Sequence, residues 1–365
     1  MWMVLDESLS QTDPAAANVR SALEQLLYAV GRGEHAIAAS PSVARHLLQV
    51  DLSPIPKTVL RQVLEMAPDL LARLQVAKSR VRVVSQGIQS ARLAGSEWSL
   101  PLEWIRQNGV PTSCILGENM RDAELFRICA MHQAALVRTG NSIRLDIGSG
   151  GGADTPRVLA TEIETQRRFV LCITDSDKAC PSAPQNHTSN ECTRITNASS
   201  WVSHHFALVE REVENLLPVN LVDDVVLSLS PSDLDARLSA LKKISIGNSE
   251  AWAYFDLKEG TSLRAMFGAC CNFWAEFKEH AICRDGSNQR CLDEERCVAA
   301  SRDECKCVIA PPLGQKILDH VCAYVAKHSP HVTAKRSSTS TNAARWAEIG
   351  AVVAEWGAAM PKLRS

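Results

Sequence analysis

Long apolar runs and a surplus of basic charge are both missing from this sequence of 365 residues. No stretch reaches the roughly 18 uncharged apolar residues that a membrane-spanning helix needs, so we expect no membrane partner. The formal net charge is -2, which excludes a strong positive field over the whole protein. Any nucleic-acid binding must therefore come from a local basic patch, a metal site or a partner protein.

The first residues lack the basic start of a secretory signal peptide, because the acidic Asp6 stands in that region. The sequence is therefore interpreted as that of a cytoplasmic protein. In a reducing compartment, the 13 cysteines are expected to be buried thiols or metal ligands rather than disulfides.

The rest of the composition is typical of a globular protein, with 45% hydrophobic and 22% charged residues. The length suggests two or three domains of about 150 residues each. Residues 1–110 are predicted to form a helix-rich N-terminal domain and 111–220 an α/β domain. Residues 221–365 are predicted to be a helical C-terminal region with a cysteine-rich segment at 270–307. In the central domain strands alternate with helices, which is typical of a parallel sheet that binds ligands at the carboxyl ends of its strands.

Acidic residues follow three predicted strands of the central domain. Glu118 ends the first strand, and Asp122 lies four residues further on, where a helix would present both on one face. Asp175 and Asp177 end a later, very apolar strand. The strand after that leads into three more acids, Glu210, Glu212 and Glu214. Crowded carboxylates repel one another unless cations intervene, and Mg²⁺ or Mn²⁺ ions suit oxygen ligands. Two such ions can hold the attacking and leaving oxygens of a phosphodiester.

This order of motifs resembles the Toprim domain. The family pattern is a Glu at a strand end, a glycine-containing turn (here 148–152), an Asp-x-Asp pair and a downstream acid. The Glu118-x-x-x-Asp122 spacing is similar to that of nucleases of the overcoming-lysogenization-defect (OLD) type. The resemblance implies an α/β fold, with a Toprim-like parallel sheet flanked by helices and helix-rich N- and C-terminal regions. It also implies a metal-dependent nuclease (endonuclease or exonuclease) that hydrolyses DNA or RNA.

The resemblance also assigns roles to individual residues. It implies that Mg²⁺ or Mn²⁺ is held by Glu118, Asp122, Asp175 and Asp177, with either Glu212 or Glu214 as a further ligand. Asn119 departs from the family, which usually has Gly directly after the Glu. OLD-type nucleases use a late Lys near the scissile phosphate, and Lys258, which follows an apolar stretch, is the candidate.

Partners follow from the same resemblance. OLD-type nucleases often work with an ATPase, and the sequence has no Gly-x-x-x-x-Gly-Lys-Ser/Thr loop of its own. An ATPase partner would therefore be a separate chain, and an anti-phage defence role is implied. The C-terminal helix that carries Trp346 and Trp356 would suit the interface of a homo-oligomer.

The glycine cluster has a competing interpretation. Asp146-Ile-Gly-Ser-Gly-Gly-Gly resembles the first motif of S-adenosylmethionine-dependent methyltransferases, in which Asp175 would bind the cofactor ribose. A methyltransferase would not use Glu118, and the sequence has no Asn/Asp-Pro-Pro-aromatic motif. In the nuclease interpretation, a backbone or phosphate-binding turn is formed by Gly148, Gly150, Gly151 and Gly152. The third alternative is a non-catalytic module that binds nucleic acid or a partner.

Cysteines in the charged segment near 283–307 suggest a structural Zn²⁺ site, because that stretch has few core-forming residues. The predicted ligands are Cys283, Cys291, Cys305 and Cys307. Paired CxxC motifs are missing, and Cys297 competes for a place. A second trio could also bind metal, although such groups are more often incidental; it consists of Cys180, His187 and Cys192.

Overall fold

The computed structural model describes residues 1–137, 140–229, 232–248, 250–267, 269–280, 282–283 and 307–363. The chain divides into two compact units. The first contains 1–173, 191–206 and 347–365, and the second contains 174–190 and 207–346. This division does not follow the predicted boundaries at 110 and 220, because two later segments of the chain pack into the first unit.

The first unit begins with a five-stranded sheet. Its strands are β1 (Trp2–Leu5), β2 (Ala36–Ala39), β3 (Ser79–Val84), β4 (Ala91–Arg92) and β5 (Ser96–Pro101). The order is β2-β1-β3-β5-β4, and only the short β4 pairs antiparallel with its neighbour. The helices of this part are α1 (Ala17–Gly31), α2 (Pro41–Leu47), α3 (Pro54–Glu65), α4 (Ala67–Val76) and α5 (Leu102–Asn108). The predicted helix-rich domain therefore also contains a mostly parallel sheet.

The first unit has a second sheet with the order β10-β9-β6-β8. Its strands are β6 (Thr112–Gly117), β8 (Asp146–Ser149), β9 (Arg168–Thr174) and β10 (Ser203–Ala207), and the intervening β7 (Ser142–Ile143) pairs elsewhere with β14 (Ala358–Ala359). Cys114 of β6 lies opposite both Asp146 and Val170 in parallel register. The helices are α6 (Met120–Val137), α7 (Thr155–Thr165) and α8 (His187–Ala198). The strand β9 is buried along nearly its whole length, as expected of a central strand covered on both faces.

The second unit is mostly helical. Its helices are α9 (Val219–Leu229), α10 (Ser232–Gly247), α11 (Cys271–Trp274), α12 (Ile317–Ala326) and α13 (Pro330–Ser337), followed by α14 (Ala343–Gly357), which continues into the first unit. A small antiparallel sheet consists of β11 (Thr261–Ser262), β12 (Ile282–Cys283) and β13 (Cys307–Ala310). Its order is β11-β13-β12. Together these elements make the chain an α/β protein with mainly parallel sheets in the first unit. Within the ranges given above, no helix is both long and apolar enough to cross a bilayer.

Candidate functional site

The Asp175-Ser176-Asp177 segment, directly after β9, is held by the chain around residue 210. Ser176 Oγ donates to the Glu210 carbonyl at 2.6 Å, and the Asp177 amide donates to the Arg211 carbonyl at 2.9 Å. Asp177 has a φ of 53°, in the left-handed region that Asp tolerates better than most residues. Ser176 is thus the buried anchor between two acids, of which Asp175 is half-buried and Asp177 exposed.

Asn186 also fixes this segment. Its Nδ2 donates to the Asp175 carbonyl at 3.2 Å and to the Asp177 carboxylate at 2.6 Å, while its amide donates to the Ser176 carbonyl at 3.2 Å. Asn186 lies in a polar, irregular stretch of sequence, where nothing marks it as a positioning residue. The two acids are consequently presented on a loop that is hydrogen-bonded on both sides.

Glu212, Glu214 and Lys258 form an ion-paired cluster in the same unit. Lys258 Nζ lies 3.1 Å from Glu214 Oε2 and 3.5 Å from Glu212 Oε2. The side chains of Glu212 and Glu214 are only 14% and 3% exposed, so these charges interact with little screening by water. This contact brings together three residues that the sequence singled out.

The charges in this cluster shift one another's protonation. Burial alone would lower the pKa of Lys258, but the carboxylates of Glu214 and Glu212, and more weakly that of Asp175, raise it above its ordinary value. Burial, with the neighbouring charge of Glu214, raises the pKa of Glu212 despite the opposing effect of Lys258. Asp175 is therefore electrostatically coupled to the cluster, which has a second cation in Arg211, whose Nε lies 3.7 Å from Glu212 Oε1.

The strand predicted to lead into Glu210, Glu212 and Glu214 does not reach these acids. It is β10, which ends at Ala207, and Glu212 instead caps a 3₁₀ helix at Val213–Leu216. Glu212 and Glu214 therefore do not share one side of an extended strand. They meet at Lys258 because the turn that carries the lysine lies against this 3₁₀ helix.

Asn215 ties the two segments together. Its Nδ2 donates to the carbonyls of Trp252 at 2.7 Å and Phe255 at 3.0 Å, and its Oδ1 accepts from the Glu212 amide at 3.0 Å. Trp252 Nε1 donates back to the Asn215 carbonyl at 3.0 Å. This buried asparagine positions both Glu212 and the segment 252–255, which precedes Lys258. The sequence alone did not indicate this role.

Glu210 is directed away from the cluster. Both of its carboxylate oxygens accept from Arg345, at 2.7 Å from Nε and 3.0 Å from Nη2. Its side chain is 5% exposed. Glu210 therefore forms a structural ion pair with Arg345, whereas Glu212 and Glu214 contact Lys258.

Glu118 and the glycine turn belong to the first unit. The Glu118 carbonyl accepts from the amides of Gly151 at 2.8 Å and Gly152 at 2.9 Å, and the Gly117 carbonyl accepts from Gly150 at 2.8 Å. A Cβ at Gly150 would overlap the side chain of Thr155. The glycine amides thus shape the backbone at the end of β6, where Glu118 lies.

Asp122 and Asn119 cap the start of α6. Asn119 Oδ1 accepts from the amides of Arg121 at 2.8 Å and Asp122 at 3.1 Å, and Asp122 Oδ2 accepts from the Asn119 amide at 3.1 Å. This reciprocal pair is a capping box, which explains the asparagine that departs from the family pattern. A structural role for Asp122 therefore accompanies its predicted role as a metal ligand.

Replacement of Asp122 separates these roles. Asp122→Ala should lower the free energy of unfolding by about 1 kcal/mol, because the Asn119 amide loses its acceptor. Asp122→Asn should cost much less, since a carboxamide oxygen can accept the same bond. Urea unfolding measures both, with Asp154→Ala as the control because Asp154 makes no capping bond to α7. Equal losses in the Ala and Asn variants would contradict the capping role, and a loss of metal-dependent activity in the Asn variant would indicate ligation.

Several cysteines differ from expectation. Cys180 and Cys270 form a disulfide, and Cys307 is also disulfide-bonded, so the prediction that the cysteines stay reduced is wrong at these positions. A disulfide sulfur has no thiolate to offer, and Cys307 therefore cannot be a zinc ligand in this form of the chain. Cys291 and Cys305 lie outside the described residues, as does the side chain of Cys283.

The second predicted metal trio is also not assembled as expected. The disulfide removes Cys180 from it, and Cys192 instead lies beside Cys172 and His205 in the first unit. Sequence spacing could not reveal this grouping, because the three residues come from different elements.

No protein-family model, no curated protein and no solved structure matches this chain. The function is therefore argued from the sites themselves.

Proposed function

We propose that the protein is a metal-dependent nuclease that hydrolyses phosphodiester bonds of DNA or RNA. The observation that carries this proposal is the group formed by Glu212 and Glu214 around Lys258, with Asp175 electrostatically coupled to it. Buried carboxylates around one lysine, next to a fixed Asp-x-Asp loop, are the parts that phosphoryl chemistry requires.

The residues of this cluster fit a hard divalent cation. All the candidate donors are carboxylate oxygens, which Mg²⁺ and Mn²⁺ prefer. Burial is the main cause of the raised pKa of Glu212, and a bound cation would stabilise the charged form of this buried carboxylate. Asp175, Asp177 and Glu212 would hold the ion; their carboxylate oxygens do not all lie within 4.8 Å of one another, so the three side chains would have to draw together when it binds. When bound, Mg²⁺ or Mn²⁺ would act as a Lewis acid on the phosphate oxygens.

The chain's own groups have distinct tasks in this proposal. Lys258 stays protonated throughout the neutral range, since its pKa is raised by Glu214 and Glu212 against the effect of burial. Its ammonium would stabilise negative charge that develops on the phosphate. Glu214 keeps Lys258 in place.

The Toprim fold, the OLD-type relationship, a separate ATPase partner and a role in phage defence belong to the same proposal. They rest on the motif order, which includes Glu118 and Asp122 of the first unit. The methyltransferase alternative is less favoured, because carbonyls of residues 117 and 118 accept the amide protons of Gly150, Gly151 and Gly152. In a methyltransferase those amides would be needed close to the cofactor.

The proposal is tested by incubating plasmid DNA and structured RNA with the purified chain, in Mn²⁺, in Mg²⁺ and in chelator. We expect metal-dependent cleavage that Asp175→Ala/Asp177→Ala reduces by at least about a hundredfold, the scale of losing groups that stabilise the transition state. The matched control is Asp233→Ala/Asp235→Ala, which removes two exposed acids with the same spacing from α10.

Two outcomes would contradict the proposal. Cleavage that survives the loss of Asp175 and Asp177 would place the activity at another site or in a contaminant. Absence of cleavage together with a melting temperature that Mn²⁺ leaves unchanged would show that the cluster binds no cation. Binding of S-adenosylmethionine, lost on Asp146→Ala, would then support the methyltransferase alternative.

A further inference from the structure

Two cysteines and a histidine that are far apart in the sequence lie close together inside the first unit. Cys172 lies on β9, Cys192 on α8 and His205 on β10. One ligand atom from each lies within 4.8 Å of the other two. Their residues are 0%, 0% and 8% exposed. Across the described parts of the chain, no other group of three His, Cys, Asp or Glu residues meets this distance.

The surroundings favour a neutral complex. Cys172 and Cys192 belong to a buried apolar cluster with Leu116, Leu159 and Val170. An isolated charge is costly in such a place. Two thiolates and one neutral imidazole balance the charge of a divalent ion, and thiolate with imidazole is the donor set that Zn²⁺ prefers.

The groups are also held in place for ligation. Thr193 Oγ1 lies 2.9 Å from His205 Nδ1, which orients the ring in the manner of the outer partners that support metal-bound histidines. A hydrogen bond joins the thiols of Cys172 and Cys192, so the two sulfurs already face each other.

We propose that Cys172, Cys192 and His205 bind a structural Zn²⁺ ion that ties β9, α8 and β10 together. Binding replaces the two thiol protons, which are released to solvent, and forms two sulfur–zinc bonds and one nitrogen–zinc bond. The three protein ligands leave a fourth position of the tetrahedral ion for a small ligand such as water. The site is independent of the proposed nuclease cluster and differs from the predicted zinc site at 283–307.

The zinc content of the chain tests the proposal. The full-length chain is purified under reducing conditions, and its zinc is measured by elemental mass spectrometry. Cys172→Ala and Cys192→Ala should each contain about one equivalent of zinc less than the wild type. The controls are Cys129→Ala and Cys322→Ala, which remove buried cysteines that form no disulfide and lie outside this group, and both should keep the wild-type content. Comparison with the wild type separates this ion from any zinc bound by the 283–307 segment.

A cobalt titration covers the case in which the cysteine variants fail to fold. Co²⁺ added to the zinc-free wild type should produce a thiolate-to-metal charge-transfer band. In His205→Gln, which keeps every cysteine, that band should weaken or shift. An unchanged band in this variant, equal zinc in the Cys192→Ala and wild-type chains, or a Cys172–Cys192 disulfide in the reduced preparation would each overturn the proposal.

Discussion

Replacing Arg345 with Met should lower the free energy of unfolding by about 3–5 kcal/mol, one of the largest effects that we expect from a single substitution. The guanidinium donates to both oxygens of Glu210, whose side chain is 5% exposed. Without it, the largely desolvated carboxylate loses the cation that compensates its charge. Urea unfolding at neutral pH measures the loss.

A double variant and a matched control keep this prediction testable if Arg345→Met does not fold. Arg345→Met/Glu210→Gln should recover most of the loss, since the double variant no longer buries a charge. Arg336→Met is the matched control: Arg336 also makes two bonds to one carboxylate, at 2.9 Å each to Asp224, but that pair is more exposed, at 42% and 23%. Arg336→Met should lower the free energy of unfolding by no more than about 1 kcal/mol. Equal losses at the two pairs would show that burial is not the cause.

The strands and the acids could be predicted, whereas the ion pairs could not. The apolar run Phe169–Thr174 is long enough and apolar enough to indicate a buried strand, and it forms β9. The pairing of Glu210 with Arg345 joins positions 135 residues apart. A sequence shows which residues carry charge, but any of the 39 basic residues is a candidate partner until the fold is known. The same is true of Lys258 with Glu212 and Glu214.

Two segments depart from the structure that their composition favours, and helix capping explains both. The composition of the polar segment 327–342 favours a linker, yet the segment contains α13, because Ser329 accepts from the Val332 amide and Pro330 suits the first turn. The alternating apolar and polar residues after Phe206 favour a strand. Glu212 caps a 3₁₀ helix there instead, and Asn215 completes the capping box by accepting from the Glu212 amide. In both places side-chain hydrogen bonds to the backbone outweigh the average preference of the surrounding residues.

The protein should also lose stability steeply between about pH 6.5 and pH 4, because three buried histidines are neutral in the folded state. Burial lowers the pKa of His35 to about 3 and those of His132 and His205 to about 4. His35 Nε2 contacts the Pro111 carbonyl at 2.8 Å, and no hydrogen-bond acceptor within the described structure faces its Nδ1. A second proton on this ring would therefore be buried without a partner.

The unfolded chain takes up these protons first as the pH falls below the ordinary histidine pKa of 6.5, so the stabilisation present above that value is lost progressively. At about pH 5 each of the three histidines should have removed about 2 kcal/mol relative to neutral pH. Urea unfolding at the two pH values measures the sum. In His35→Gln the difference should shrink by about 2 kcal/mol, whereas His331→Gln, which replaces an exposed ring, should leave it unchanged. If His35→Gln keeps the full wild-type difference, the buried neutral imidazole is not what makes the fold sensitive to acid, and the loss must come from other groups.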